Sequence, residues 1–132
     1  MADALFRLVC TPGVLARAPA GWVSMMLQES ELALLVDDGG LRAITDLAHA
    51  LDLVTVPLLR TEDEPSEQDA TVMSYAGSKP LIWVARGFGE AATSWAHARG
   101  PMTLLVEADG PLSDEGRRRI ERFVVILGRQ AE

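Results

Sequence analysis

The sequence predicts an α/β fold, a single-domain sandwich with helices packed on a mostly parallel sheet. Three observations carry this. In the last third, apolar strand-like runs and helical runs alternate: "PLIWVAR" (80–86), "GFGEAATSWAHARG" (87–100), "PMTLLVEADG" (101–110) and "LSDEGRRRIERFVVILGRQ" (112–130). Two successive strand–helix units require crossover connections, and crossovers join parallel strands. A further unit begins at Leu32, where "LALLV" runs into "DDGG" and then into helical spacing.

"ALFRLVC" (4–10), closed by "TPG", reads as a first strand. In "WVSMML" (22–27), Val23, Met25 and Leu27 alternate with Trp22, Ser24 and Met26, so this run and "LALLV" (32–36) are expected to form an N-terminal antiparallel hairpin across 28–31. Leu41, Ile44, Leu47, Ala48 and Leu51 then recur at helical spacing. "LVTVPLL" (53–59) is β-branched and apolar, although Pro57 interrupts any ladder it joins. "RTEDEPSEQD" (60–69) has no apolar side chain and is expected to be an exposed acidic loop within one domain spanning 1–132. "ATVMSYAGSK" (70–79) fits a strand or a helical turn equally well. In the closing helices the apolar faces are Phe88, Ala91, Ala92, Trp95 and Ala98, and Ile120, Phe123, Val124 and Leu127.

Length and composition bound the function. A chain of 132 residues with 48% hydrophobic and 23% charged residues is long and apolar enough for one real core. Twelve basic against nineteen acidic residues leave a net charge of −7, a field that repels nucleic acid and anionic membranes. The "GRRRIER" run (116–122) reads as a solvated helix face, with Asp114, Glu115 and Glu121 in pairing range. With one cysteine, no basic leader and no run of about twenty apolar residues, a cytoplasmic protein with neither disulfide nor membrane span is expected. Eleven of the twelve basic residues are arginine, a usage that points to a GC-rich bacterial genome.

The residues with most claim to chemistry are Asp37 and Asp38. As a turn they cap the following helix, since Asp accepts from free N–H groups at the positive end of the helix dipole. As a strand-end carboxylate pair they offer oxygen ligands to Mg²⁺; no other cofactor is implied. Gly87 and Gly89 in "RGFGEA" lie between a strand and a helix, where backbone N–H groups can meet an anion. His49 and His97 stand alone on polar helix faces, so neither forms a zinc pair. Cys10 has no base beside it in sequence and reads as a small buried residue rather than a nucleophile.

"LVDDGG" followed by a helix, and the closing strand, helix, strand and helix, resemble the bacterial response-regulator receiver domain. That resemblance implies phosphoryl chemistry at a Mg²⁺ held by Asp37 and Asp38. The sequence departs from the receiver pattern where the chemistry is done: "TVMSYAG" offers no phosphoacceptor Asp, Ala85 stands near the Ser or Thr position, and Glu107 ends the strand that should end in Lys.

Two functional readings follow. The first is a small noncatalytic regulatory or protein-interaction domain that self-associates. The alternative is a receiver-like or Mg²⁺-dependent phosphoryl-handling domain using Asp37 and Asp38, with Glu107 or Asp109 approaching from a neighbouring strand. Self-association is expected because Phe123 to Leu127 are consecutively apolar, wider than one buried stripe, and the predicted hairpin has apolar groups on both faces. A homodimer through Trp22, Met26, Val125 and Ile126 would cover both.

Overall fold

The structure is a computed structural model that describes residues 4–36 and 39–131. Four strands, β1 (Phe6–Cys10), β2 (Ser30–Leu34), β3 (Leu81–Ala85) and β4 (Thr103–Glu107), form one sheet in the order β2-β1-β3-β4. Every neighbouring pair is parallel, with Leu8 opposite Leu32 and Ile82, and Trp83 opposite Leu105. The helices among the described residues are α1 (Pro12–Leu15), α2 (Ala20–Glu29), α3 (Gly40–Ala50), α4 (Pro65–Ala76), α5 (Glu90–Arg99) and α6 (Asp114–Ala131).

This confirms the α/β class and corrects the hairpin. Residues 22–27 lie inside α2, where Trp22, Val23 and Met26 are buried and Met25 is 48% exposed. Buried positions at i, i+1 and i+4 mark one side of a helix; the alternation of Val23, Met25 and Leu27 is coincidental. With helices between β1 and β2, the connection is a crossover and the strands pair in parallel.

Three other segments differ from expectation or resolve it. "LVTVPLL" forms no strand; it runs extended past β2 and touches it at one bridge, Leu34 to Leu58. The acidic stretch divides at Pro65, where α4 begins with proline in its first turn, so 65–69 is helical and 60–64 is not. Gln68 ties the remainder down, donating to the Arg60 carbonyl at 2.9 Å and accepting from the Glu62 N–H at 3.0 Å. The undecided 70–79 supplies the rest of α4, which ends at Gly77 with a φ of 56° that an L side chain rarely adopts.

Both sheet faces are covered. On one, Phe6, Leu8, Ile82 and Val84 pack with side chains of α1, α2, α3 and α6, including Trp22, Met26 and Ile120. On the other, Val9, Ala33, Leu81 and Trp83 pack against Val72 and Ala76 of α4 and Ala92 of α5. Trp83, 1% exposed, also meets Phe88 edge to face at 5.0 Å. Full burial of such side chains contributes about 1.5–3 kcal/mol each, so the two-sided core is the main source of stability. It also explains the near-continuous apolar run in β3.

The two edges of the sheet differ. At β2 the outward Leu34 N–H donates to the Pro57 carbonyl at 2.9 Å, and the Leu34 carbonyl accepts from Leu59 at 3.0 Å. At β4 the Ala108 N–H donates inward to the Ala85 carbonyl of β3, so the alternating main-chain groups of Leu105 and Glu107 turn outward, where the described residues form no further strand.

Candidate functional site

Strand order reverses between β1 and β3, because the chain steps from β1 to β2 on one side and then crosses to β3 on the other. Open α/β sheets bind ligands at such a reversal, outside the carboxyl ends of the strands. Here that position holds a crevice of about 300 Å³, lined among others by Thr11, Gly13, Val84, Arg86 and Gly110. Its polar equipment is modest. Thr11 precedes α1 but makes no side-chain cap, and Arg86 pairs with Asp109 at 3.1 Å, both largely exposed. Cys10, which ends β1, is fully buried, and burial pushes its thiol pKa up to about 12. A thiol held neutral in this way is a packing group, not a nucleophile.

Asp37 and Asp38, the expected Mg²⁺ pair, lie outside the described residues. The strand before them is β2, second in the chain and at the edge of the sheet, whereas the receiver resemblance implies the first strand. Among the described residues, no three or more His, Cys, Asp or Glu side chains are grouped to hold a metal. His49 and His97 are both exposed, on α3 and α5 respectively.

The Gly87 and Gly89 segment meets an anion from its own chain. Gly89 stands immediately before α5, and its N–H donates to Asp69 Oδ2 at 3.2 Å. A Cβ at Gly89 would come within 3.1 Å of that carboxylate oxygen, so glycine permits the approach. Asp69 thereby links α4 to the start of α5 on the same face of the sheet.

The four expected interface residues separate. Trp22 and Met26 are 8% and 2% exposed and belong to the core, as follows from the helical state of 22–27. Val125 and Ile126 are 52% and 50% exposed. Successive residues of a helix point about 100° apart, so these two occupy opposite flanks of α6 and do not form one patch. The row between them is basic, with Arg118, Arg122 and Arg129 all exposed. Of the pairings expected along "GRRRIER", Arg117 to Asp114 is present.

A second concavity, unforeseen in the sequence reading, follows the open β4 edge. It has a volume of about 380 Å³ and is walled by Phe88 and Thr93 on one side and Ser113, Glu115, Gly116 and Arg119 on the other, with Leu105 to Glu107 as its floor. At Gly116 a Cβ would lie 2.8 Å from Leu112 Cδ1, so a larger residue there would have to displace the Leu112 side chain. Arg119 Nη2 donates to the outward Leu105 carbonyl at 3.3 Å, which fixes the flank of α6 that faces the edge. Ile126 and Phe123 share that flank, within about 40° of Arg119. At the amino end of β4 the Thr103 hydroxyl is buried and has no hydrogen-bond partner. The sequence signal for this site is slight: β4 is the last strand in the chain, and nothing in "TLLVE" states that it is an edge.

Comparison with family models, curated proteins and solved structures gave no match for this chain. No helix among the described residues is long and apolar enough to cross a membrane.

Proposed function

We propose that this chain is a small noncatalytic protein-interaction domain, regulatory in role, that docks an extended protein segment along the outer edge of β4. The observation that supports this most is the inequality of the two edges. The outward groups of Leu34 on β2 are bonded to the main chain of residues 57 and 59, while those of Leu105 and Glu107 on β4 lie beside a groove, the Leu105 carbonyl accepting a 3.3 Å bond from the Arg119 side chain. An added strand gains main-chain hydrogen bonds from such an edge and side-chain selectivity from the flanking pocket. Phe88 and the half-buried Leu105 supply an apolar floor; Arg119 and Glu115 supply a charged rim.

The reading is tested with extended heptapeptides selected from a random displayed library against the folded chain. Bound peptide should shift the amide resonances of Leu105 and Glu107, and Leu105→Pro should abolish binding because it removes an outward donor. Shifts confined to Thr11, Arg86 and Gly110 would instead favour the strand-end crevice. That crevice is the observation behind the second reading, a receiver-like domain in which Asp37 and Asp38 hold Mg²⁺. Calorimetric titration with Mg²⁺ tests it directly: the interaction reading expects no saturable heat.

A further inference from the structure

Building on the docking reading, we infer that the segment taken up at the β4 edge is β4 of a second copy, paired antiparallel about a two-fold axis at Leu105 to make one continuous sheet across a homodimer. The edge is self-complementary in this register. The Leu105 N–H of each copy donates to the Leu105 carbonyl of the other, and the Glu107 N–H donates to the Thr103 carbonyl, the exchange that defines an antiparallel hydrogen-bonded pair. The Thr103 N–H is already committed within its own chain, to the Gly100 carbonyl, so the Thr103–Glu107 pair makes one of its two bonds. Thr103 also comes opposite Glu107 of the second copy.

The flanking helix matches as well. Arg119 marks the level of Leu105 on α6 through its bond to that carbonyl. Within about 60° of Arg119, Glu115 lies one turn before it and Arg122 and Ile126 lie after it. A two-fold axis at this level runs the two α6 helices antiparallel. The axis brings the two Arg119 side chains together, with Glu115 of each copy one turn from its own Arg119 and beside Arg122 of the other, and the half-exposed Ile126 and half-buried Phe123 are covered. Closed two-fold dimers with such isologous contacts are the commonest oligomers. An isologous contact along the outer row of Arg118, Arg122 and Arg129 would instead set like charges together. This places the interface on the Ile126 flank and leaves Val125 outside it.

Light scattering after size exclusion, with the full chain loaded from about one to several hundred micromolar, tests this. A mass rising from 14.3 kDa to twice that value is expected. Leu105→Pro should weaken the dimer at least tenfold and Val125→Lys should leave it unchanged. Because Leu105→Pro could impair folding, a charge exchange provides the second arm. Glu115→Arg should weaken the dimer by setting arginines together, and adding Arg122→Glu should restore it. A folded monomer at every concentration overturns the second-copy inference, as does a dimer indifferent to both Leu105→Pro and the charge exchange. The docking reading is judged separately: a monomer that still binds a selected extended peptide, lost in Leu105→Pro, keeps that reading while the dimer falls. A monomer that binds none removes both.

Discussion

The outer edges of the sheet, β2 and β4, are strands of equal length with similar composition, and the chain treats them differently. Along β2, Leu34 is fully buried, and a segment containing a proline and a single bridging leucine lies across its outward N–H and C=O groups. Along β4, Leu104 and Leu105 stay half-buried and the carbonyl of Leu105 meets a long, exposed arginine. Unpaired edges are hazards for aggregation, which proteins blunt with charge or cover. The β2 edge is covered at Leu34; the β4 edge is guarded by Arg119 beside a groove. An element kept available at some risk is where binding is best sought, and this contrast, rather than a catalytic constellation, carries the functional reading.

The contrast can be broken most forcefully by truncating a side chain at each edge. Leu34→Ala, in a fully buried position, is expected to cost about 2–5 kcal/mol, while Leu105→Ala, half in solvent, should cost less than half as much. Urea denaturation measures both, and equal losses would mean that the β4 edge is as enclosed as β2.

Proline sharpens the comparison within one strand. Val106 faces inward to the ladder with β3, so Val106→Pro leaves a buried carbonyl unpaired, a loss of about 1–3 kcal/mol before steric strain. In Leu105→Pro the lost donor pointed outward, so thermal unfolding should show a clearly smaller fall in Tm for Leu105→Pro than for Val106→Pro. The order reversed would contradict the assignment of inward and outward groups.

Much of this architecture was legible in the sequence, and the parts that were not share a cause. β3, α5, β4 and α6 were readable because strand-like and helical runs alternate there and are closed by glycine, proline or charge, although on α5 Ala91 and Ala98, expected on the apolar face, are exposed and Ala96 is buried. "WVSMML" was misread because six residues satisfy both a twofold and a helical period, and the deciding fact, that Met25 is exposed while Trp22 and Met26 are buried, is tertiary. "LVTVPLL" has strand composition, but Val54 is 99% exposed and the segment serves as a cover for β2. The candidate site was the least legible. Which strand is an edge depends on strand order, and the β2-β1-β3-β4 order comes from a crossover that no local pattern encodes.

Two smaller effects follow from titrating groups away from the β4 edge. Burial raises the Cys10 thiol to about 12 from an ordinary 9.0. Between those values the unfolded chain loses a proton that the folded chain keeps, so stability should fall as pH rises through that window. Cys10→Ala should flatten the alkaline limb of Tm against pH; an unchanged slope would show that the thiol is not shielded. Near the amino end of β2, Glu31 accepts from Arg7 at 3.1 Å and lies 3.4 Å from Lys79. The hydrogen bond from Arg7 chiefly holds the Glu31 carboxyl below its ordinary range. Its contribution is present above the unfolded value and is lost as pH falls through the folded one. Glu31 is exposed and screened, so Glu31→Gln should cost about 0–1 kcal/mol at neutral pH, with a shallower acid limb in a Tm profile.

The central claim is most directly tested by amide hydrogen exchange, resolved by residue, at low and high protein concentration. The account predicts a slow Leu34 amide at both, and Leu105 and Glu107 amides that exchange fast in dilute solution and slow when the chain is concentrated. Leu105 and Glu107 amides that are already slow in dilute solution, or fast at every concentration, would contradict it.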